Sequence, residues 1–432
     1  MIKTYDAAIE YLYERLPMFT RDGASAIKKD IDNTVRFCQA LGNPHTQFKS
    51  IHVAGTNGKG STSHMLASVL ASAGYKTGLY TSPHLVDFRE RIRINGEMIP
   101  KDRVIDFVNL QRTLMEEIRP SFFETTVAMA FDYFAKEQID IALIEVGLGG
   151  RLDSTNILRP ELCVITNIGM DHTDLLGNTL AEIAEEKAGI IKNQVPVVLS
   201  ERDETIAFVF EQKAREMNAP IRFASEELEV LGSERSDKGR TCTIADKRRH
   251  QTQEVYIGLA GQYQQKNILG VLTAIDELRK QGWEITDEHV QQGLANVEKN
   301  TGLQGRWQTL STDPLIICDT GHNEDGIREV MENIRATAFK TLHMVIGAMR
   351  DKDLNHILPQ FPTAATYYFC SPDMPRALSA EELKIKAERY GLTGDAYPSI
   401  RAALTAAKDA YQEDDLLFVG GSSFVVAEVL SV

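Results

Sequence analysis

The stretch Ser50-Ile51-His52-Val53-Ala54-Gly55-Thr56-Asn57-Gly58-Lys59-Gly60-Ser61-Thr62 decides how the rest of the chain is read. Its first five residues are short and partly apolar, the pattern of a buried strand. From Ser63 to Gly74 small and apolar residues follow with helical spacing. A strand, a glycine-rich turn and a helix N-terminus make an anion site. Successive backbone N–H groups point into the turn, and the helix dipole adds partial positive charge. Lys59 brings a full charge for the outer phosphates, and Ser61 or Thr62 a hydroxyl for Mg²⁺. Two positions depart from the general phosphate-loop pattern: Val53 replaces its first glycine, and Gly60 replaces the Ser or Thr after the lysine. The competing reading is a glycine-rich turn with a solvated lysine. The strand–loop–helix context favours the phosphate loop.

Outward from this loop, strands and helices alternate. Thr77–Ser82, Ile139–Val146, Leu162–Ile168 and Val195–Leu199 read as strands. Residues 5–40 (interrupted around Pro17–Gly23), Lys101–Ile118, Pro120–Lys136, Leu180–Ile191 and Leu259–Lys280 read as helices. This alternation predicts an α/β fold, a parallel sheet with helices on both faces. Glu226 to Gly258 is polar and β-prone, which predicts a small β-rich insertion. A second α/β unit of Rossmann-like pattern starts near Leu315. The expected domains are 1–297, phosphate-loop and ATP-binding; a linker over 298–305; and a C-terminal unit over 306–432.

The 432 residues are 43% hydrophobic and 25% charged, as in soluble globular proteins. No apolar run is long enough to cross a bilayer, and the N-terminus lacks an export pattern. Five scattered cysteines without a CxxC pair predict buried thiols in a reducing cytoplasm. A net charge of −14 argues against nucleic acid or an anionic membrane as a partner. Anionic small molecules would have to be held locally, against the overall field.

Ligands of doubly wound sheets sit beyond the carboxyl ends of the strands. Ser82, Glu145 and His172 fall at such ends beside the phosphate loop, the donor set of a nucleotide–Mg²⁺ site. An imidazole is a less usual Mg²⁺ ligand, and taken alone His172 reads more readily as a hydrogen-bonded loop residue.

The chain resembles the folylpolyglutamate synthase/dihydrofolate synthase branch of the Mur ligases. The resemblance is carried by His52–Thr62 (HVAGTNGKGST), Tyr80–Leu85 (YTSPHL), Arg89–Ile92 (RERI), Glu145–Asn156 (EVGLGGRLDSTN), Ile165–Leu176 (ITNIGMDHTDLL), Glu186–Lys192 (EKAGIIK), Gly305-Arg306 and Asp319–Gly326 (DTGHNEDG), in the family's order. It implies an ATP-dependent ligase. ATP would phosphorylate an acceptor carboxylate, and the amino group of L-glutamate would displace phosphate to form an amide.

By position, the resemblance implies that Gly58, Lys59, Gly60 and Ser61 hold ATP phosphates and that Asn267 contacts the nucleotide. Arg306 would lie near the γ-phosphate and Asp319 near the ribose. Ser82 and Glu145 would bind one Mg²⁺, and His172 would help to bind a second. Lys187 matches a lysine that is carbamylated in the family; without the resemblance it reads as part of a solvated helix face. Phe122, Phe123, Glu124, Leu152 and Asp153 would lie near a pterin, the alternative being that the phenylalanines begin a core-facing helix.

Departures are Tyr263, where the family often has histidine, and Gly321 and Glu324, where Ala and Pro are usual. The implied substrates are dihydropteroate or reduced folate, L-glutamate and ATP, handled by a cytoplasmic monomer that serves both acceptors and closes about the linker. Two other readings stand beside this one. A cell-wall Mur ligase would need a UDP-sugar domain, and only about 50 residues precede the loop. A nucleotide-dependent switch would have no use for Lys187 or Arg306.

Overall fold

The computed structural model of the protein describes residues 1–26, 30–350 and 352–431. The chain divides into two units, one of Met1–Gly258 with Gln264–Leu303, the other of Leu259–Tyr263 with Gln304–Val432.

The first unit is built on an eight-stranded sheet. Its order is Glu97–Met98, Ile92–Ile94, Thr77–Tyr80, Ile141–Glu145, Lys49–Ala54, Leu162–Ile165, Val197–Leu199, Ile221–Phe223. The six strands from Thr77–Tyr80 to Ile221–Phe223 run parallel, while the short Ile92–Ile94 and Glu97–Met98 pair antiparallel at one edge. Ser50 to Ala54 are all buried, as befits a central strand covered on both faces. The chain leaves Lys49–Ala54 toward Thr77–Tyr80 on one side and later reaches Leu162–Ile165 on the other. The loops at the carboxyl ends of these neighbours therefore open a crevice at the switch in strand order.

Local sequence fixes where the helices start. Ser121 and Glu124 form a reciprocal capping box before the helix Phe122–Lys136, and Thr179 and Glu182 do the same before Leu180–Ala188. The helix Lys59–Ser72 is buried from Gly60 to Leu70, which its run of Gly, Ser, Ala and Leu permits. The polar stretch after Glu226 is a three-stranded antiparallel sheet, Leu228–Ser236, Gly239–Asp246 and Gln251–Ile257. It is tied to the helix Gln264–Lys280 by ion pairs of Arg248 and Arg249 with Asp276.

The second unit carries a six-stranded sheet in the order Gln308–Thr312, Leu315–Cys318, Leu416–Gly420, Leu342–Ile346, Thr366–Phe369, Gly394–Ala396. All pairs are parallel except that of the first two strands. Two boundaries differ from the sequence reading. The first residues of the expected 298–305 linker lie in a helical turn, Val297–Thr301, with Val297 and Thr301 buried. The helix expected from Leu259 starts at Gln264, and Leu259–Tyr263 belongs to the second unit. No described helix is long and apolar enough to cross a membrane.

Candidate functional site

Gly55 to Gly58 link the strand Lys49–Ala54 to the helix Lys59–Ser72. Gly55 has φ +149, and a Cβ there would stand 1.8 Å from Thr166 Oγ1. Gly58 caps the helix at φ +83, and a Cβ there would stand 2.3 Å from Asn267 Oδ1. Glycine is required at both places for conformation and for close approach. The first helical hydrogen bond runs from Thr62 N–H to Gly58 O at 2.9 Å. The amides of Lys59, Gly60 and Ser61 therefore have no acceptor within the helix, the arrangement that receives phosphate oxygens.

The loop is gripped from the strand Leu162–Ile165. Thr56 N–H donates to Asn167 O at 2.9 Å and Asn57 N–H to Asn167 Oδ1 at 2.7 Å. Thr166 Oγ1 donates to Asn57 O at 2.5 Å. Thr56 Oγ1 donates to Gly169 O at 3.1 Å and accepts from Gly169 N–H at 3.0 Å. Thr166 and Asn167 went unnamed in the sequence reading. Their signal is a polar pair immediately following a buried strand inside the ITNIGMDH stretch. Gln264, which keeps the family's residue in the motif flanking Asn267, has no role assigned from sequence: its Nε2 donates to Ser61 Oγ at 3.1 Å, and its Oε1 accepts from Asn267 Nδ2 at 2.8 Å. Ser61 and Asn267, both buried, are thus joined through one glutamine.

Two ammonium groups share one carbonyl. Lys59 Nζ donates to Gly55 O and Thr56 O, both at 3.0 Å, and Lys187 Nζ donates to Gly55 O at 3.0 Å. Lys187 is 3% exposed, so the solvated-face alternative does not hold. Burial first, then the Lys59 charge, pull its pKa down to about 7, against the opposing influence of Asp171, Glu186 and Asp153.

Glu145 ends its strand with its side chain buried, and Oε2 accepts from Ser82 N–H at 2.9 Å. This brings the two expected metal-binding residues together through a backbone contact. Both offer oxygen, the donor that Mg²⁺ prefers. His172 stands at φ 51 before the short helix Thr173–Leu176. Its N–H donates to Asp171 Oδ1 at 2.9 Å, and its ring lies edge-on to Phe19 at 5.9 Å. Among the described residues no group of three or more His, Cys, Asp and Glu forms a metal-binding cluster. Any metal here would share its shell with phosphate and water.

The residues expected at a pterin separate by environment. Phe122 is 3% exposed and packs among Tyr13 (5.4 Å), Phe88 (5.9 Å) and the Arg91 guanidinium (5.4 Å), which makes it a core residue. Phe123 is half-buried, 6.2 Å from Tyr80, and lies against Gly147 so closely that a Cβ there would be 2.3 Å from its ring. Glu124 caps its own helix: Oε2 accepts from Ser121 N–H at 2.5 Å and from Asn33 Nδ2 at 3.4 Å. Asp153 is buried and organises the glycine loop after Glu145. Its Oδ2 accepts from the N–H groups of Gly147 (3.0 Å) and Leu148 (2.9 Å), and its Oδ1 from that of Thr155 (2.9 Å). Burial raises the Asp153 pKa, and these hydrogen bonds oppose the rise. Leu152 is exposed.

In the second unit, Asp319 follows the strand Leu315–Cys318 and is 3% exposed. Its Oδ2 accepts from the Tyr263 hydroxyl at 2.6 Å and Trp307 N–H at 2.8 Å, and its Oδ1 from Gly321 N–H at 2.8 Å. The Arg306 guanidinium bonds the Thr320 hydroxyl and Gly305 O. Asn323 caps the helix Glu324–Arg335 through Gly326 N–H at 2.8 Å.

Comparison with known proteins places this arrangement in a family. The sequence pattern of the Mur ligase middle domain matches residues 53–275, and that of the Mur ligase glutamate ligase domain matches residues 305–423. The dihydrofolate synthase/folylpolyglutamate synthase of Bacillus subtilis is 30% identical over 439 residues, 99% of either chain. The Escherichia coli protein of the same name is 33% identical over 386 residues, 88% of this chain and 85% of that one. A Haloferax volcanii protein named as a probable bifunctional folylpolyglutamate synthase/dihydropteroate synthase is 32% identical over 433 residues, and this chain spans 50% of its length. Among solved structures, E. coli FolC in complex with DHPP and ADP superposes with a TM-score of 0.85 at 29% identity, covering 99% of this chain and 97% of that one. The Mycobacterium tuberculosis folylpolyglutamate synthase complexed with ADP gives 0.88 at 26% identity, covering the same shares, 99% and 97%. The chain belongs to the dihydrofolate synthase/folylpolyglutamate synthase family of Mur-type ATP-dependent ligases.

Proposed function

We propose that the protein joins L-glutamate to the carboxylate of dihydropteroate, and to the terminal glutamate of reduced folates, at the expense of ATP. The observation that carries this reading is the convergence on Gly55 of a phosphate loop and two lysines, one of them buried with a pKa of about 7.

A carboxylate is a poor electrophile, and phosphorylation gives it a good leaving group. One acceptor carboxylate oxygen attacks the γ-phosphorus and ADP departs. The amine of L-glutamate then attacks the acyl carbon, phosphate leaves with that oxygen, and the amine loses a proton. Both steps bring anions together, so positioned cations and N–H donors carry much of the catalysis. The amides of Lys59, Gly60 and Ser61 and the Lys59 ammonium are assigned to the phosphates, with Gly58 giving them room and Asn267 on the nucleotide. Arg306 is assigned to the γ-phosphate and Asp319 to the ribose, on the resemblance of their motifs.

The oxygen donors of Ser82 and Glu145 suit one Mg²⁺, and His172 with a carbamylated Lys187 suits a second. Bound Mg²⁺ supplies charge neutralisation between nucleotide and acceptor. Lys187 fits carbamylation because an amine with a pKa of about 7 is substantially neutral at physiological pH, and the neutral amine is the form that adds CO₂. Phe123 and Leu152 offer apolar surface to the pterin, while Phe122, Glu124 and Asp153 hold the walls that carry them. The protein is taken to act as a cytoplasmic monomer on small molecules alone.

The test is a product assay with ATP, Mg²⁺ and L-glutamate, offering dihydropteroate and a reduced folate separately and identifying the amide by mass. Product from both acceptors is expected. Product from one alone would restrict the function to that step, and none from either, with ATP still bound, would overturn the substrate assignment.

A further inference from the structure

Asp319 is the fixed point around which the neighbouring turn of the second unit is shaped. It accepts three hydrogen bonds, and two of them, from the Tyr263 hydroxyl and Trp307 N–H, fall on the same oxygen. Trp307 has φ 50, a left-handed conformation that a bulky residue keeps only when its surroundings hold it there. The bond from its N–H to Asp319 is one such hold, and the stacking of its ring on Phe418, with centroids 6.0 Å apart, is another. Arg306 sits between Trp307 and Gly305. The Gly305 carbonyl accepts from Thr320 N–H and from the Thr320 hydroxyl, both at 3.1 Å. The direction of the Arg306 side chain is therefore set by a turn anchored on Asp319 and Thr320.

Tyr263 is itself immobilised. Gln262 N–H donates to Asn333 Oδ1 at 2.7 Å, and Ala260 is part of the second unit's apolar core with Trp307 and Phe418. The Tyr263 ring lies on Gly261, where a Cβ would come within 2.8 Å of it. A hydroxyl held 2.6 Å from a buried carboxylate is a short, charge-assisted donor. Burial, then the Asp319 charge, keep the Tyr263 hydroxyl protonated, so it donates across the working pH range.

We propose that Tyr263 is a positioning residue for the ligase reaction: acting through the Asp319 carboxylate, it fixes the Gly305–Trp307 turn and with it the Arg306 guanidinium. The proposal rests on the reading that Arg306 serves the nucleotide.

The experiment is a double-mutant cycle on the full chain, with Tyr263→Phe, Arg306→Ala and the pair combined, reading kcat, the KM for ATP and the thermal midpoint. Tyr263→Phe is expected to lower kcat by about 10-fold, the scale of one hydrogen bond to a charged group. It should have no further effect once Arg306 is alanine. Tyr263→His, which restores an N–H donor, should recover most of the loss. A purely structural tyrosine would instead lower the midpoint and add its penalty unchanged in the Arg306→Ala background, and that additivity would overturn the proposal. So would an unaltered kcat in Tyr263→Phe beside a large Arg306→Ala defect. A normal kcat in Arg306→Ala would remove the assumed role of Arg306, a separate failure. Should Tyr263→Phe not fold, Tyr263→His alone and with Arg306→Ala supplies the same cycle.

Discussion

Replacing Lys187 by methionine removes a charge that the fold holds at a disadvantage. Burial, then the neighbouring Lys59 charge, lower the Lys187 pKa from 10.5 to about 7. The unfolded chain keeps this amine protonated up to about pH 10.4, whereas the folded chain releases the proton near pH 7. Between those values the unfolded state binds more protons, so the stability of the parent protein rises with pH. Below pH 7 both states are protonated and the penalty of the buried charge is at full size. The drop from 10.5 to about 7, at about 1.36 kcal/mol per unit, sets that penalty near 5 kcal/mol. By about pH 9 roughly 3 kcal/mol of it is relieved. The assay is urea unfolding of the parent and of Lys187→Met from about pH 6.5 to 9.5. CO₂-free buffer is needed because carbamylation would consume the same amine. The gain of the methionine variant over the parent should be largest at the acid end and shrink by about 3 kcal/mol at the alkaline end. Parallel curves for the two proteins would refute the depressed pKa and the burial argument behind it.

Lys187→Ala should abolish product formation, and formate or acetate should restore part of it by putting a carboxylate where the carbamate would stand; no rescue at any concentration would count against carbamylation. Gly55→Ala, whose Cβ would collide with Thr166 Oγ1 at 1.8 Å, should weaken ADP binding more than about 10-fold by calorimetry. Gly42→Ala, at φ +81 with nothing within 4 Å, should leave that affinity unchanged while losing about 1–2 kcal/mol of stability. Asp153→Asn places an amide N–H₂ against backbone donors and should destabilise the protein by about 1–3 kcal/mol in urea unfolding. Its KM for the pterin acceptor should rise as the Gly147–Leu152 loop loosens, and an unchanged midpoint and KM would show that the loop is held by other contacts.

The phosphate loop was legible because glycine at positive φ and a strand-to-helix switch leave a strong mark in sequence. Ser82 and Glu145 could be placed at strand ends because short, continuously buried runs lead up to them. Lys187 could not be located by pattern: its helix carries Glu182, Glu185 and Glu186 on other faces, and only the tertiary approach to Gly55 buries it. Asp153 looks like a substrate-facing carboxylate in sequence. Its spacing to Gly147, Leu148 and Thr155 lets it close the loop that precedes it and cap the turn that follows, and backbone satisfaction won. The strands Ile92–Ile94 and Glu97–Met98 went unread because three and two residues show no alternation, and Gln308–Thr312 because it is a polar edge strand. The assignment of Leu259–Tyr263 to the second unit had no local signal, since it follows from contacts of Ala260, Gln262 and Tyr263 distant in sequence.

The central claim is that the acceptor carboxylate is activated by phosphorylation before glutamate attacks it. The most direct measurement uses an acceptor labelled with ¹⁸O in that carboxylate, incubated with ATP, Mg²⁺ and L-glutamate, followed by mass analysis of the inorganic phosphate and the amide. The account predicts one carboxylate oxygen transferred to phosphate for each amide formed. Amide accompanied by unlabelled phosphate would contradict it, because the carboxylate oxygen would then have left by another route.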